Sequence, residues 1–190
     1  ECRINAEDPF RNFLPSTGRL VRFQPPEQDM FQSEAGIQDG VRVDTGVYEG
    51  GEIPMYYDSM IAKLIVHGSD RKDAIARMRA ALNGFVIRGI SSNIPFQAAL
   101  LAHPKFVSGD FNTGFIAENY AKGFHAEDVP HDDPLFLVAL AAYVNRRYRA
   151  RAARISGQMA GHEVKVGEAF AVVVLGAEGQ NQHHAVTVTG

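Results

Sequence analysis

The sequence predicts an α+β fold, and two patterns support that prediction. Between residues 1 and 67, apolar residues recur at every second position in several short segments, which is typical of half-buried strands. From residue 69 onward the apolar residues shift to helical spacing. Strands therefore come first and helices later, which is the order expected of an α+β domain.

The opening stretch, ECRINAEDP, is the first predicted strand. We expect the chain to begin inside a structural element of a longer protein. We also expect Arg3 to be buried in the strand interior, where a guanidinium needs an anionic partner or a ligand. The residues alone leave a structural ion pair and a functional site open for Arg3. The period of two places three apolar residues on one face of the strand and three polar residues on the other. The apolar residues are Cys2, Ile4 and Ala6, and the polar residues are Arg3, Asn5 and Glu7.

Two later segments predict further strands of the same sheet. The stretch GVRVDTGV places Val41 and Val43 on one face and Arg42 and Asp44 on the other. The dense aliphatic stretch MIAKLIVHG predicts a strand in the middle of the sheet. The preceding PMYYDSM places two tyrosines and an aspartate against that strand, and polar residues at core positions usually pair or serve a site.

The predicted helices follow. Ser69 or Asp70 is the expected N-cap of a first helix, and Gly84 lies near its end, where a left-handed residue is often required. A second helix, NIPFQAALLAHP, is expected to be capped by Asn93 and to stop near Pro104. TGFIAENY predicts a third.

The polar segment 121–133 predicts a linker, which divides the chain into a domain over residues 1–120 and a second unit over residues 134–190. Asp132 or Asp133 is expected to cap a long helix that begins at Pro134. LFLVALAAYV is apolar on every side and predicts that this helix is buried. HEVKVG, AFAVVVLG and HHAVTVTG then predict strands.

The long helix that begins at Pro134 ends in arginines, NRRYRARAAR. A basic helix end of this kind could bind nucleic acid, but it also complements the helix dipole, and the second interpretation needs no further assumption. The formal net charge of −3 shows no basic excess, and no apolar run reaches the length of a membrane span. We therefore expect neither a nucleic-acid partner nor a membrane segment.

Cys2 is the one cysteine of the 190 residues, which excludes an intrachain disulfide and fits a reducing compartment, most simply the bacterial cytoplasm. We interpret it as a buried strand residue rather than a nucleophile. Glu7 and Asp8 diverge in a strand, so they are interpreted as a turn before Pro9 and not as an acid–base pair. The sequence has no phosphate-binding loop and no metal-ligand motif.

Several long motifs resemble one known family. ECRINAEDPFRNFLPSTGRLVRF, GVRVDTGVYEGGEIPMYYDSMIAKLIVHGSDRKDAIARM and ALNGFVIRGISSNIPF are similar, in order, to the C-terminal part of biotin carboxylase. This is the ATP-grasp component of the biotin-dependent carboxylases, which are ligases. The resemblance covers residues 1 to about 118 and implies an antiparallel sheet with flanking helices.

The second unit has a narrower resemblance. The apolar helix followed by RISGQMAGHEVKVGEAFAVVVLGA is similar to the start of the linker (BT) domain of propionyl-CoA carboxylase α subunits. In that family a central helix is wrapped by an antiparallel β-barrel. Residues 134–190 would therefore be a long buried helix and the first barrel strands, which dock on the carboxyltransferase β subunit.

The resemblance implies a reaction and three site residues. Biotin carboxylase uses ATP with Mg²⁺ or Mn²⁺ and bicarbonate to carboxylate biotin. The arginine of ECRIN is an active-site residue of the family, so Arg3 would bind bicarbonate and stabilise the oxyanion of the biotin ureido ring. Asp58 would orient that region. Arg42 would be a contact of a biotin carboxylase dimer, although Asp39 stands where some relatives have an aromatic residue.

The resemblance also implies what lies outside these residues. The ATP-binding lid, the metal-binding carboxylates and the general base of the family precede residue 1, and the biotinyl domain of the same polypeptide follows residue 190. We therefore expect no metal ligand here and no carboxylase activity from the 190 residues alone. Two alternatives stay open: the α subunit of a 3-methylcrotonyl-CoA or other acyl-CoA carboxylase, and a non-enzymatic interaction module.

Overall fold

The computed structural model describes residues 1–30, 32–33, 36–37, 40–130, 133–176 and 180–189. The chain divides into two compact units, Glu1–Pro130 and His131–Gly190. The predicted α+β class, with antiparallel sheets, is confirmed. The finer division into 1–120, a linker and 134–190 stays a prediction.

The first unit contains eleven strands and four helices among its described residues. The strands are β1 Cys2–Asn5, β2 Glu7–Asp8, β3 Leu14–Pro15, β4 Gly18–Arg19, β5 Arg22–Gln24, β6 Gln32–Ser33, β7 Gly36–Ile37, β8 Gly40–Thr45, β9 Glu52–Ile53, β10 Met60–His67 and β11 Val86–Arg88. The helices are α1 Arg71–Gly84, α2 Ile94–Ala102, α3 Pro104–Ser108 and α4 Phe115–Asn119, with single 3-10 turns at Pro9–Arg11 and Ala126–Asp128.

A three-stranded antiparallel sheet of order β1-β10-β8 is the centre of this unit. The aliphatic strand β10 lies in the middle, as its sequence predicts. The even-numbered residues of β1, those of β10 from Ala62 onward and the odd-numbered residues of β8 point to the core and pack with α1, because side chains alternate across a strand. Ile61, at the irregular start of β10, is also buried in this core. The core residues of these strands include Ile4, Ala62, Leu64 and Val43, and those of the helix include Met78, Ala81 and Leu82.

Both outer edges of this sheet are hydrogen-bonded by side chains from segments that are not strands. On β8, the backbone N–H of Val41 donates to Asp29 Oδ1 at 2.8 Å and that of Val43 donates to Gln28 Oε1 at 2.8 Å. On β1, the outer backbone groups bond to Asn93, which immediately precedes α2, and to Gln97 within it. The edge backbone groups named here are therefore satisfied without a fourth strand.

Helix α1 begins as predicted but ends differently. The Asp70 side chain accepts a hydrogen bond from the backbone N–H of Asp73 at 2.8 Å, which is the N-cap geometry. Gly84 is the last helical residue and does not adopt a left-handed conformation, so that expectation is wrong. A Cβ added at Gly84 would lie only 3.0 Å from Pro26 Cβ. Pro26 therefore approaches this glycine so closely that a side chain here would require a shift.

The second unit contains α5 Pro134–Ala152 and the antiparallel pair β12 Ala169–Val174 and β13 Gln182–Thr187. Asp133 caps α5, since its Oδ1 accepts from Leu135 N at 3.0 Å; Asp132 lies outside the described residues. The expected first strands of a barrel are therefore a two-stranded ladder here, and no closed barrel forms among the described residues. His183 and His184 lie opposite successive residues of β12 and point to opposite faces, as predicted.

Two predictions for this unit are wrong. Helix α5 is not buried on every side: Val138 and Ala142 are, but Leu137 is 60% exposed, because β12 and β13 lie along part of the helix surface. HEVKVG forms no strand. Its Val164 N–H donates to Gln158 Oε1 at 2.7 Å, so that backbone group bonds to a side chain rather than to a neighbouring strand. Within the described ranges, no helix has the length and apolar character required to cross a bilayer.

Candidate active site

The candidate site lies on the face of the three-stranded sheet that points away from α1. In the register of the sheet, Arg3 of β1 lies opposite Lys63 of β10, and Lys63 lies opposite Asp44 of β8. Residues directly opposite each other share a face, with Cβ atoms about 5 Å apart. The sheet therefore places two cationic side chains and one carboxylate in a row across three strands.

Arg3 is not buried, contrary to the sequence-based expectation. Its side chain is 72% exposed, and the nearest carboxylate oxygen, Glu1 Oε1, lies 3.9 Å from its Nε. That separation exceeds a hydrogen bond, and an exposed ion pair of this kind contributes little. Across the described part of the chain, the Arg3 guanidinium has no hydrogen-bond partner, so its donors are free to bind an anion.

Arg42 binds the carboxylate that could otherwise neutralise this row. Its Nε and Nη2 atoms donate to the two oxygens of Asp44 at 3.1 and 3.3 Å. The arrangement is bidentate, which suits the planar guanidinium. Asp44 is thus paired on its own strand, and Lys63 and Arg3 are left with little compensating negative charge. The dimer contact expected of Arg42 stays a prediction, and Asp39 lies outside the described residues.

Asp58 lies in the exposed loop before β10. Its Oδ1 accepts a hydrogen bond from the backbone N–H of Met60 at 3.0 Å, which closes a turn. The neighbouring Tyr56 and Tyr57 are 95% and 83% exposed, so the expectation that PMYYDSM occupies core positions is wrong. Within the ranges that the structure covers, no hydrogen bond or ion pair joins Asp58 to Arg3.

A polar network that the sequence does not reveal surrounds the same strand end. Ser59 Oγ donates to Glu7 Oε1 at 2.6 Å, and Asn5 Nδ2 donates to the same oxygen at 3.2 Å. Asn93, which the sequence suggested only as a helix cap, bonds to the backbone of Arg3 and Asn5. No local pattern could identify the bonds of Ser59 and Asn93, because their partners are 52 to 90 residues away.

Cys2 faces the core beside this site and does not take part in it. Its side chain packs against the buried cluster under the sheet. Burial raises the pKa of the Cys2 thiol. A thiol whose pKa is raised is a poor nucleophile at neutral pH, and this favours the interpretation of Cys2 as a packing residue.

The comparisons with known proteins identify the family. The family model described as biotin carboxylase C-terminal domain matches residues 1–118. The chain belongs to the biotin carboxylase C-terminal domain family. A second model, the propionyl-coenzyme A carboxylase BT domain, matches residues 137–190.

Two relatives show how far the similarity of this biotin carboxylase domain extends. The propionyl-CoA carboxylase alpha chain of Ruegeria pomeroyi is 46% identical, covering 94% of this chain and 28% of the relative. Biotin carboxylase 1 of Bacillus subtilis is 53% identical, covering 61% of this chain and 24% of the relative. The chain thus spans about a quarter of the length of these curated relatives.

A solved structure agrees with the fold. The biotin carboxylase domain dimer of Hydrogenobacter thermophilus 2-oxoglutarate carboxylase matches with a TM-score of 0.56 and 34% identity, covering 70% of this chain and 26% of that chain. That structure is a complex with MgADP, ADP and bicarbonate. The match supports the fold of this biotin carboxylase domain.

The family implies biotin and ATP with magnesium as cofactors. Arg3, exposed beside Lys63, offers unpaired N–H donors and positive charge, which fit an anionic ligand such as bicarbonate. The part of the chain that the structure describes holds no group of three or more His, Cys, Asp or Glu side chains placed to bind a metal ion. We therefore assign no magnesium ligand to the described residues.

Proposed function

We propose that the chain is part of the biotin carboxylase subunit of an acyl-CoA carboxylase, which carboxylates biotin with ATP and bicarbonate so that propionyl-CoA can be converted to methylmalonyl-CoA. The similarity to a propionyl-CoA carboxylase alpha chain over 94% of this chain supports the proposal, because it spans both units. The single observation that carries it is the exposed guanidinium of Arg3, which makes no hydrogen bond within the described residues and lies opposite Lys63.

Arg3 would be the catalytic residue of this chain. Biotin, when bound, would supply the ureido nitrogen that accepts the carboxyl group, and MgATP would supply the activation of bicarbonate. The Arg3 guanidinium donates N–H bonds to the oxygens of bicarbonate and to the ureido oxygen as negative charge develops there. A cation held in place before the reaction stabilises such an oxyanion without reorganising in the transition state.

Lys63 would strengthen the anion site without a specific bond. Two like charges directly opposite each other in a sheet repel, so an anion bound between Arg3 and Lys63 relieves that repulsion. Asp44 does not compete for the anion's place, because Arg42 holds both of its oxygens. Asp58 would shape the nearby loop through its bond to Met60 N.

The two family matches support the partners in this proposal. Residues 134–190 would dock on the carboxyltransferase β subunit, and the biotinyl domain of the same polypeptide would deliver biotin to Arg3. Arg42 would contribute to a biotin carboxylase dimer, as the relative solved as a dimer suggests. Location in the cytoplasm is part of the same proposal.

Arg3→Met in the complete α subunit tests the catalytic role. We expect the rate of biotin carboxylation to fall by at least about 100-fold, since removing one oxyanion donor typically costs about 10²–10³ in rate. Arg3→Lys keeps the charge but loses the planar donors, so an intermediate rate is expected. The measurement is carboxylation of free biotin with radiolabelled bicarbonate.

Arg11→Met is the matched control, because Arg11 is an exposed arginine of the same unit that lies outside the row of Arg3, Lys63 and Asp44. It should retain the wild-type rate and the wild-type melting temperature. Full activity of Arg3→Met would remove Arg3 from the active site.

Propionyl-CoA as the acceptor is tested with the complete α subunit and its β subunit. Carboxylation assays with propionyl-CoA and 3-methylcrotonyl-CoA should give higher kcat/KM for propionyl-CoA. Preference for 3-methylcrotonyl-CoA would keep the biotin carboxylase role and replace the acyl acceptor. A complex without any ATP-dependent carboxylation would favour a non-enzymatic interaction module.

A further inference from the structure

The backbone of the strand that carries Arg3 is held by a side chain nearly ninety residues away. Asn93 Nδ2 donates to the carbonyl oxygen of Arg3 at 3.0 Å, and the backbone N–H of Asn5 donates to Asn93 Oδ1 at 2.9 Å. The backbone N–H of Asn93 also donates to the Asn5 carbonyl oxygen at 3.1 Å. Gln97 Nε2 donates to the same Arg3 carbonyl oxygen. Asn93 thus contacts the outer edge of β1 as a neighbouring strand would.

Asn93 makes these bonds in place of the one its position predicts. It is the N-cap residue of α2, where an asparagine side chain ordinarily accepts a hydrogen bond from the first turn of its own helix. Its side chain makes no such bond. It is also 8% exposed, so its amide is buried and directed to β1. The hydrogen bonds of this side chain among the described residues are therefore those to the backbone of Arg3 and Asn5, on either side of Ile4.

This contact lies where the strand pairing is irregular. Ile4 pairs with Ala62, but the next residue, Asn5, pairs with Met60. Strand β10 therefore has one extra residue, Ile61, at this point. A bulge reorients the side chains near it, and a slip of one residue would turn them to the opposite face. Bonds from Asn93 on both sides of the irregularity resist such a slip.

The Arg3 side chain has no other support within the described residues. Its guanidinium makes no hydrogen bond, and its nearest carboxylate is 3.9 Å away on the exposed residue Glu1. The direction in which the side chain leaves the sheet is therefore set by the backbone of β1. An error of about 1 Å in the placement of a reacting group can cost about 100-fold in rate.

We propose that Asn93 is a positioning residue for Arg3. It holds the Arg3 carbonyl oxygen and the Asn5 amide at the edge of β1, and this fixes the backbone from which the Arg3 side chain extends. The proposal rests on the catalytic role of Arg3 given above. Gln97 is the second donor to the same carbonyl oxygen and supports the same placement.

Asn93→Asp in the complete α subunit tests this. The substitution retains Oδ1 as an acceptor for Asn5 N–H but replaces the donor to Arg3 with a carboxylate oxygen. We expect kcat for biotin carboxylation to fall at least tenfold and KM for ATP to stay within twofold of wild type. Gln97→Met removes the second donor with less disturbance, and we expect a smaller fall, two- to fivefold.

A double-mutant cycle separates positioning from a structural role. If Asn93 acts through Arg3, then Asn93→Asp added to Arg3→Met should lower the rate no further than Arg3→Met alone. Met78→Ala is the stability control, because Met78 is buried in α1 and bonds to neither residue. It should lower the melting temperature without changing kcat per folded enzyme.

The possible outcomes are distinct. Wild-type kcat for Asn93→Asp, a fall that matches only its loss of folded protein, or full additivity in the cycle would each overturn the positioning role. An active Arg3→Met would instead overturn the catalytic role of Arg3, and with it the premise of the inference. A kcat loss at unchanged KM for ATP, with no further loss in the double variant, supports it.

Discussion

At the scale of the residue, Arg3 shows that an alternating pattern predicts the face on which a side chain lies but not its burial. The pattern correctly sets Ile4 and Ala6 in the core and Arg3 on the other face. It cannot show whether that other face is covered, and the expectation of a buried arginine assumed that it was. The exposed side chain makes a more direct anion ligand, because its N–H donors need not leave an existing partner.

The thiol of Cys2 gives a pH-dependent prediction. Burial raises its pKa, so the folded state disfavours the thiolate. Below the unfolded-state pKa, about 8.5, both states keep the proton and the free energy of unfolding is unaffected. Above it the unfolded state loses its proton first. The free energy of unfolding should therefore fall as pH rises from 8.5 until the folded thiol ionises.

Urea denaturation of wild type and Cys2→Ala between pH 7 and 9.5 measures this effect. The wild type should lose stability relative to the variant above pH 8.5, and the difference should be constant below it. Alkylation by iodoacetamide at pH 8 should also be slower in the folded chain than in 6 M guanidinium. A constant difference over the whole range, with equal alkylation rates, would show that the thiol is not buried.

At the scale of the element, local signals predicted what local interactions determine. The caps at Asp70 and Asp133 and the central position of β10 follow from neighbouring residues, and the structure has them. The strand predicted for HEVKVG is absent. A strand needs a neighbouring strand as its hydrogen-bonding partner, and the alternation of apolar residues does not show whether one is present. The prediction that the Asn93 side chain caps α2 is wrong because the side chain bonds to the backbone of β1, a distant segment that local sequence does not reveal.

The N-cap of α1 gives a prediction at this scale. Asp70→Ala removes the acceptor for Asp73 N–H and should lower the free energy of unfolding by about 1 kcal/mol. Asp70→Ser retains a capping oxygen and should lose only a small part of that amount. Chemical denaturation of the three proteins measures it, and equal losses for the two variants would contradict the capping role.

At the scale of the molecule, the two units present different surfaces. The first encloses a core between its central sheet and α1, whereas α5 of the second exposes an apolar stripe along one side. The order of strands and helices predicted the α+β class, and the resemblance identified the family. Neither could predict the exposure of α5, because that depends on how many strands lie against the helix. The stripe consists of Leu137, Leu140, Val144 and Tyr148.

This stripe predicts association of the 190-residue chain. Exposed apolar patches of adjacent residues tend to bind one another or apolar dyes, since burial of their surface is favourable. We expect the apparent mass in light scattering to rise with concentration, and Leu137→Gln with Val144→Gln to suppress the rise. Val107→Gln, at an exposed valine of α3, is the control and should leave the rise unchanged. Concentration-independent mass of the wild type would contradict the prediction.

The side chains along both edges of the central sheet affect how the protein can aggregate. An open edge strand offers alternating N–H and C=O groups to any other extended chain and is a common start of amyloid-like growth. Here Gln28 and Asp29 bond to backbone groups on one edge, and Asn93 and Gln97 bond to those on the other. A fourth strand from a second molecule would first have to displace these side chains. The residues that hold Arg3 in place therefore also protect the sheet from cross-β polymerisation.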